Sequence, residues 1–199
     1  MIAFYAVLRR LRFIERWQLM RKFYPENVQE HSFEVAVLAH ALALIRREIL
    51  KLEGPEPEAV LAHAIFHDAT ECLTGDLPTP VKYYDQSLQQ AYKELEKQAE
   101  SRLLKLLPEP LQGAYSEAFE PQDLELKRIV KQADTLSAYL KAREELAAGN
   151  QEFAQAVKSI AAKLEERSSP ELEYFLEECL PAFAKNLDEL NESSGEITF

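Results

Sequence analysis

Hydrophobic residues recur along this chain at intervals of three and four positions. Near the start, Phe4, Val7 and Leu11 keep this spacing, which places them on one side of a helix over about residues 2–11. The same spacing predicts further helices over about residues 28–52, 57–73, 86–107, 108–119, 122–148, 151–167 and 170–191. Stretches that contain proline or glycine separate most of them, and no stretch makes a convincing strand. The pattern therefore predicts an all-α fold.

The helix predicted over residues 28–52 has a clear start signal. Asn27 followed by Glu30 is typical of a capping box in which Asn27 is the N-cap. The apolar positions of this helix favour a buried face made of Phe33, Val37, Ala41, Leu44 and Ile45.

Length and composition favour one globular domain. The chain has 199 residues, of which 47% are hydrophobic and 29% charged, and its 5 glycines leave helix-favouring residues dominant. Without an internal repeat or a second domain, residues 1–191 are predicted to fold as a single helical domain. Residues 192–199, which include Ser193-Ser194-Gly195, are predicted to form a frayed tail.

Charge and cysteine content narrow the partners and the compartment. The formal net charge of −11 repels long polyanions, so no nucleic-acid polymer is expected as a partner. No apolar run approaches the roughly 18–20 residues of a membrane span. Two cysteines, Cys72 and Cys179, are too few for a disulfide framework. The Arg-rich residues 1–20 lack the serines of a transit peptide and contain Glu15, so the expected location is the cytoplasm.

The most informative stretch places a histidine next to an aspartate. In the predicted helix over residues 57–73, His67 and Asp68 are neighbours, and Glu71 lies one turn beyond His67. An imidazole and a carboxylate suit a first-row divalent ion. A core histidine beside a surface acid would give the same doublet, so the doublet alone leaves both interpretations open.

Three other histidines and one aspartate are candidates to complete a metal site. His31 and His40 are nine residues apart and point to opposite sides of one helix, so at most one of them reaches the site, and His31 is favoured. His63, one turn before His67, stays an open candidate. Asp134 lies among apolar neighbours on a distant predicted helix; its position alone favours a surface acid or an arginine partner, and a metal ligand is the alternative.

These residues, in this order, resemble the signature of the HD-domain metal-dependent phosphohydrolases. Five flanking strings are similar to the bacterial 5′-deoxynucleotidase (YfbR-like) branch of that family. They are Arg16-Trp17, Glu30-His31-Ser32, His67-Asp68-Ala69-Thr70-Glu71, Thr74-Gly75-Asp76-Leu77-Pro78-Thr79-Pro80-Val81-Lys82 and Lys131-Gln132-Ala133-Asp134. The likeness runs from about residue 4 to residue 188, and it implies an HD-domain helical bundle.

The resemblance also implies a role for each site residue. The metal ligands would be His31, His67, Asp68 and Asp134. Glu71 would be the catalytic carboxylate, and Asp76 would support it. The substrate-binding residues would be Arg16, Trp17, Thr79 and Lys82, with Trp17 near the sugar.

The implied reaction is hydrolysis of deoxyribonucleoside 5′-monophosphates to the nucleoside and phosphate by attack of a metal-bound water, in a homodimer. One divalent ion per subunit is implied. Two imidazoles and two carboxylates with open positions favour Co²⁺, Mn²⁺ or Fe²⁺ over Zn²⁺ or Mg²⁺.

The same residues are compatible with some other classes of protein and not with others. A four-helix di-iron protein requires Glu-x-x-His pairs, and no histidine of this chain has glutamate three positions before it. A non-catalytic helical scaffold with the same pattern remains an alternative. So do the deoxynucleoside triphosphate and signalling-nucleotide hydrolases of the same superfamily, although the flanking strings favour the monophosphate branch by analogy.

Overall fold

The chain folds into α-helices joined by short loops, in agreement with the spacing of its hydrophobic residues. The computed structural model describes residues 1–82 and 84–193. The helices in these ranges are α1 (Phe4–Leu8), α2 (Val28–Leu44), α3 (Pro57–Phe66), α4 (Glu71–Thr74), α5 (Thr79–Lys82), α6 (Gln86–Leu104), α7 (Glu109–Phe119), α8 (Leu124–Ala147), α9 (Ala154–Glu166), α10 (Pro170–Tyr174) and α11 (Leu187–Ser193). The described residues contain no strand, which confirms the all-α prediction. None of their helices has the length and apolar character needed to cross a bilayer.

Short 3₁₀ and π turns extend several of these helices. The 3₁₀ turns are Arg9–Phe13, Gln151–Phe153 and Leu180–Ala184, and the π turns are Ile45–Ile49 and Phe175–Cys179. The single helix predicted over residues 170–191 is therefore divided, because Pro181 has no N–H to continue a helical ladder. Helix α11 includes residues 192 and 193 of the predicted tail, and residues 194–199 lie outside the described residues.

The start of α2 is fixed by the predicted capping box. The Asn27 side chain accepts a hydrogen bond from the Glu30 N–H at 3.0 Å, and the Glu30 carboxylate accepts one from the Asn27 N–H at 3.2 Å. Just before it, Glu15 and Asn27 form an isolated antiparallel bridge. This bridge closes the base of the loop over residues 16–26, so the loop is held against the start of α2.

The buried face predicted for α2 was wrong at Phe33 and Val37, whereas Ala41 and Leu44 are half-buried and Ile45, just after the helix, is buried. Phe33 and Val37 are 72% and 51% exposed, whereas Val35, Leu38 and Leu42 are buried. Apolar residues lie on both sides of α2, so the helical spacing alone did not identify the side that meets the core. The observed side is the one that also carries His31.

Two hydrophobic clusters make up the core, and the candidate site lies where they meet. The larger cluster contains residues of α2, α3 and α8, including Val35 and Ala64. The smaller cluster joins the N-terminal segment to α6 and α7 and includes Val28 and Ala69. His31 follows Val28 and precedes Val35 in α2. His67 stands in the same way between Ala64 and Ala69.

The helix predicted over residues 57–73 is interrupted at the histidine–aspartate doublet. Helix α3 ends at Phe66, His67 is its C-cap, and α4 begins at Glu71. Backbone hydrogen bonds from Ala69 to Phe66 and from Glu71 to Asp68 tighten the turn. His67 and Asp68 are consequently presented by a turn between two helices and not from the middle of one helix.

Candidate metal centre

Side chains from three separate parts of the chain converge at one point. His31 comes from α2, His67 from the turn after α3, and Asp134 from α8, and each offers a ligand atom within 4.8 Å of the other two. The Nε2 atom of His31 lies 3.2 Å from an Asp134 oxygen. The fold therefore brings together residues that lie more than one hundred positions apart in sequence.

Asp68 lies beside the two imidazoles, although it is not part of the group whose ligand atoms all lie within 4.8 Å of one another. Its Oδ2 atom is 3.1 Å from His67 Nε2 and 3.6 Å from His31 Nε2. Burial acts to raise the pKa of Asp68, but the neighbouring imidazoles of His67 and His31 hold it well below its usual range. The aspartate is therefore an ionised carboxylate between two imidazole nitrogens.

The two imidazoles are oriented by bonds on their outer nitrogens. His67 Nδ1 lies 2.7 Å from the Ala64 carbonyl, which requires the proton on Nδ1 and directs Nε2 towards the centre. That Nε2 atom is buried and forms no hydrogen bond of acceptable geometry with any described residue. Burial acts to lower the pKa of His67, but the carboxylates of Asp68 and Asp134 raise it above its usual value. A cation that took the place of the imidazole protons would meet two Nε2 atoms and two carboxylates, a donor set that fits a first-row divalent ion.

A second layer of polar groups supports His31. Its Nδ1 lies 3.1 Å from Ser137 Oγ, and the Ser137 hydroxyl donates to Glu34. Burial raises the pKa of Glu34, and the hydrogen bond from Ser137 opposes that shift. Sequence reasoning missed this chain of bonds. Its signal was the spacing, since Glu34 follows His31 by three positions and Ser137 follows Asp134 by three.

Asp134 is half-buried, with a side chain 19% exposed, and among the described residues it pairs with His31 and Lys131 and with no arginine. One of its oxygens faces His31, and the other accepts a hydrogen bond from Lys131 at 2.7 Å. Burial acts to raise the pKa of Asp134, but His31 and Lys131 together lower it well below the usual value. The α8 helix thus supplies an ionised carboxylate to the centre.

Glu71 lies beside the centre in a different electrostatic state. It is buried in the first turn of α4, and its Oε2 atom has no hydrogen-bond partner among the described residues. Burial, reinforced by the charges of Asp68 and Asp76, raises the pKa of Glu71 to about 10. This carboxyl group therefore holds a proton at neutral pH when no cation offsets the nearby carboxylates.

Arg16 and Trp17 border the centre on the side of the 16–26 loop. An Arg16 guanidinium nitrogen lies 3.7 Å from Asp68 Oδ2, and Arg16 Nε is buried without a hydrogen-bond partner among the described residues. The Trp17 ring packs on Phe153 at a centroid distance of 5.2 Å. The Trp17 backbone has φ +57°, an uncommon value for a bulky side chain.

Asp76, Thr79 and Lys82 are the rim residues of the predicted site, and of these Asp76 and Lys82 act on the charge of Glu71 beside the centre. Burial raises the pKa of Asp76, and the Arg16 guanidinium opposes that shift across the site. Thr79 is exposed at the start of α5. Lys82 donates to Glu96 of α6 at 2.9 Å and lies over the Tyr92 ring. Lys82 therefore makes its contacts with α6 in this arrangement.

The other histidines lie outside the convergent group. His63 Nδ1 contacts the Ala118 carbonyl of α7 at 2.9 Å. Burial lowers the pKa of His63, so it is a neutral packing residue. Among the described residues, the group with ligand atoms within 4.8 Å of one another includes neither His40 nor His63.

A helical bundle that joins a His–Asp doublet to a histidine and an aspartate from two other helices defines the class of HD-domain phosphohydrolases. The family model described as 5′-deoxynucleotidase YfbR-like matches residues 3–183. The chain belongs to this YfbR-like 5′-deoxynucleotidase family, which confirms the family that its motifs resemble.

Named relatives and solved structures agree with this assignment. A 5′-deoxynucleotidase of Vibrio parahaemolyticus is 50% identical, with 94% of this chain and 97% of the relative covered. The 5′-deoxynucleotidase YfbR of Escherichia coli is 47% identical, with 96% of each chain covered. An HD-domain phosphohydrolase from Listeria innocua superposes with a TM-score of 0.78 at 25% identity, over 96% of this chain and 95% of that chain.

A more distant structure shares the fold. The HD phosphohydrolase of cyanophage S-2L, described as bound to dA and one catalytic Zn²⁺ ion, has a TM-score of 0.65 and 20% identity. The alignment covers 91% of this chain and 96% of the phage protein.

Proposed function

We propose that this chain hydrolyses deoxyribonucleoside 5′-monophosphates to the deoxyribonucleoside and phosphate. One divalent ion would be held by the four ligands His31, His67, Asp68 and Asp134. The observation that carries the proposal is the meeting of His31, His67 and Asp134 from three separate parts of the fold, with the Asp68 carboxylate beside both imidazole Nε2 atoms. Family membership supports the monophosphate substrate.

When bound, a divalent ion supplies charge neutralisation at the phosphoryl group and acidifies coordinated water. The chain's own residues perform the remaining tasks. Arg16 places a guanidinium beside Asp68, where it offsets the phosphate charge in a protein that is negative overall. Glu71 is the proposed acid–base group beside the centre: its protonated form would hand a proton to the leaving 5′-oxygen, and its ionised form would take a proton from the attacking water.

The rim residues complete the proposed substrate site. Asp76 supports the centre electrostatically: its charge is attracted to the Arg16 guanidinium and raises the pKa of Glu71. Thr79 and Lys82 line the phosphate side, with Lys82 exchanging its bond to Glu96 for the substrate. Trp17 forms the wall against which the sugar rests, so an added 2′-hydroxyl meets the indole.

The test is a product assay over deoxyribonucleoside and ribonucleoside monophosphates, with deoxynucleoside triphosphates and signalling nucleotides as competing substrates. We expect phosphate release from dAMP with Co²⁺, Mn²⁺ or Fe²⁺, less with Zn²⁺ or Mg²⁺, and none with EDTA. Zn²⁺ belongs in the panel because the phage phosphohydrolase is described with that ion. Absence of turnover on dAMP and p-nitrophenyl phosphate with every metal would favour the non-catalytic scaffold.

Trp17→Ala is expected to narrow the preference for dAMP over AMP. The indole is the bulky group proposed to border the sugar, and rejection of an added hydroxyl by an apolar wall is worth roughly a hundredfold at most. We expect the ratio of kcat/KM values to fall by about tenfold, mainly because AMP is accepted. Trp17→Phe, which keeps an aromatic wall but loses the indole N–H, should retain more of the preference than Trp17→Ala. An unchanged ratio in Trp17→Ala would remove Trp17 from sugar selection.

Ser137→Ala is expected to weaken metal binding about ten- to a hundredfold, because an outer partner of a ligating histidine is lost. The Nδ1 proton of His31 would lose its acceptor and the ring would be free to turn. Competition with a fluorescent chelator measures the change. Ser159→Ala, an exposed serine on α9 that bonds within its own helix, is the matched control. Equal metal affinity in both variants would show that Ser137 does not orient the ligand.

We further propose that residues 1–191 act as one domain, in the cytoplasm and as a homodimer. The two free cysteines support a reducing compartment. The exposed side chains of Phe33 and Val37 on α2 are an apolar surface that a second copy could cover. Light scattering after size-exclusion chromatography should give twice the chain mass, and a monomer at working concentrations would refute the dimer.

A further inference from the structure

A carboxylate outside the site residues named so far contacts both proposed substrate-binding side chains. The Trp17 indole N–H donates to Glu26 Oε2 at 2.7 Å, and Arg16 Nε lies 3.6 Å from the same oxygen. The other Glu26 oxygen lies 3.7 Å from His31 Nδ1. The Glu26 side chain is only 11% exposed, so it acts from inside the fold.

Glu26 is itself fixed to the framework that carries the metal centre. Its backbone carbonyl accepts a hydrogen bond from the Arg16 N–H at 2.9 Å. It also immediately precedes Asn27, the N-cap of the helix on which His31 lies. The Glu26 carboxylate therefore holds the side chains of Arg16 and Trp17 in a fixed position relative to the start of α2.

Trp17 needs such a hold. Its φ of +57° is costly for a bulky residue and persists only where surrounding contacts determine it. The hydrogen bond to Glu26 and the packing on Phe153 are contacts of this kind. Without the Glu26 carboxylate, the Trp17 indole would be held only by its packing on Phe153.

The position of Glu26 argues against a direct role as a metal ligand. It faces Nδ1 of His31, whereas the Nε2 atoms of both histidines face the centre. Glu26 therefore acts through other side chains.

We propose that Glu26 is a positioning residue that aligns the Trp17 indole and the Arg16 guanidinium with the metal centre. It thereby adjusts both the selection of deoxyribose and the placement of the phosphate. The inference rests on the proposed function of the same site, but its structural half is independent of substrate.

The first experiment uses tryptophan fluorescence, because Trp17 is the only tryptophan in the chain. Glu26→Ala should shift the emission maximum and increase quenching by acrylamide. Glu26→Gln, whose amide oxygen still accepts the indole proton, should stay near the wild type. Glu15→Gln is the matched control, since Glu15 pairs with Lys22 on the exposed side of the same segment. Identical emission and quenching in Glu26→Ala and the wild type would overturn the proposal.

The second experiment separates positioning from a merely structural effect. Displacement of a binding group by about 1 Å can cost a hundredfold in rate, so we expect kcat/KM for dAMP to fall roughly ten- to a hundredfold in Glu26→Ala. Most of the loss should lie in KM, the dAMP-to-AMP preference should narrow, and metal content should not change. Glu26→Gln should raise KM, because Arg16 loses the ionic partner that holds its guanidinium in place. Its fluorescence should stay that of the wild type.

A double-mutant cycle with Trp17→Phe completes the test. If Glu26 acts on sugar selection through the indole N–H, Glu26→Ala should change the dAMP-to-AMP ratio far less in the Trp17→Phe background. Additive effects would overturn that route.

If Glu26→Ala fails to fold, as judged by circular dichroism, the KM prediction is tested with Glu26→Gln. A wild-type KM in Glu26→Gln would contradict the proposal. An inactive wild-type enzyme would count against the proposed function alone, because the fluorescence experiment needs no substrate.

Discussion

Glu71→Gln should abolish phosphate release while the protein keeps its metal. The amide has nearly the same shape as the carboxyl group but cannot pass a proton between water and the leaving 5′-oxygen. General acid–base catalysis typically contributes about 10²–10⁴-fold, and we expect kcat on dAMP to fall by that amount. Phosphate release measures the rate, and elemental analysis of the purified protein measures the metal.

A matched substitution separates this effect from a general loss of negative charge. Glu58 occupies the first turn of α3, just as Glu71 occupies the first turn of α4, but Glu58 is exposed whereas Glu71 is buried. Glu58→Gln should leave both rate and metal content unchanged. If Glu71→Gln retained wild-type turnover, Glu71 would have no part in the chemistry.

Asp134→Asn should remove the metal and the activity together. A neutral amide is a much weaker ligand than a carboxylate, and the centre would lose one of its two ionised groups. We expect a larger loss of affinity than the roughly ten- to hundredfold that follows removal of an outer partner. Metal stoichiometry and dAMP hydrolysis are measured on the same preparation.

The control for this substitution lies in the same helix. Asp123 is the N-cap of α8, and asparagine caps a helix about as well as aspartate. Asp123→Asn should therefore bind metal normally. An Asp134→Asn protein with full metal content and full rate would rule out Asp134 as a ligand.

The sequence was sufficient for the helical class and for the cap at Asn27, because both depend on local spacing and on side chains a few positions apart. It was insufficient for the buried side of α2, where apolar residues such as Phe33 and Val35 lie on opposite faces. It also missed the end of α3 at Phe66, since nothing in the local sequence breaks the helical pattern before Gly75.

For the same reason, the sequence predicted some features of the site and missed those that depend on contacts between distant segments. Spacing indicated that His31 and His40 diverge, but only the packing of α2, α3 and α8 shows which residues converge with His67. Contacts between distant segments, such as those of Glu26 with Trp17 and of Ser137 with His31, follow from tertiary structure. The resemblance supplied the ligand set, whereas the residues that orient the ligands, such as Ser137 and Glu34, were not predicted, because a three-residue spacing alone does not show which polar groups meet.

The meeting of the two hydrophobic clusters at His31 and His67 ties metal supply to the durability of the protein. An ion held there would join α2 and α8 to the turn after α3. Separation of these segments in unfolding would then require the ion to be released. Because a ligand that binds only the folded state stabilises it by mass action, metal starvation would act on the amount of intact enzyme as well as on its rate. A cell short of the ion would then lose the protein to proteolysis, and not only its turnover.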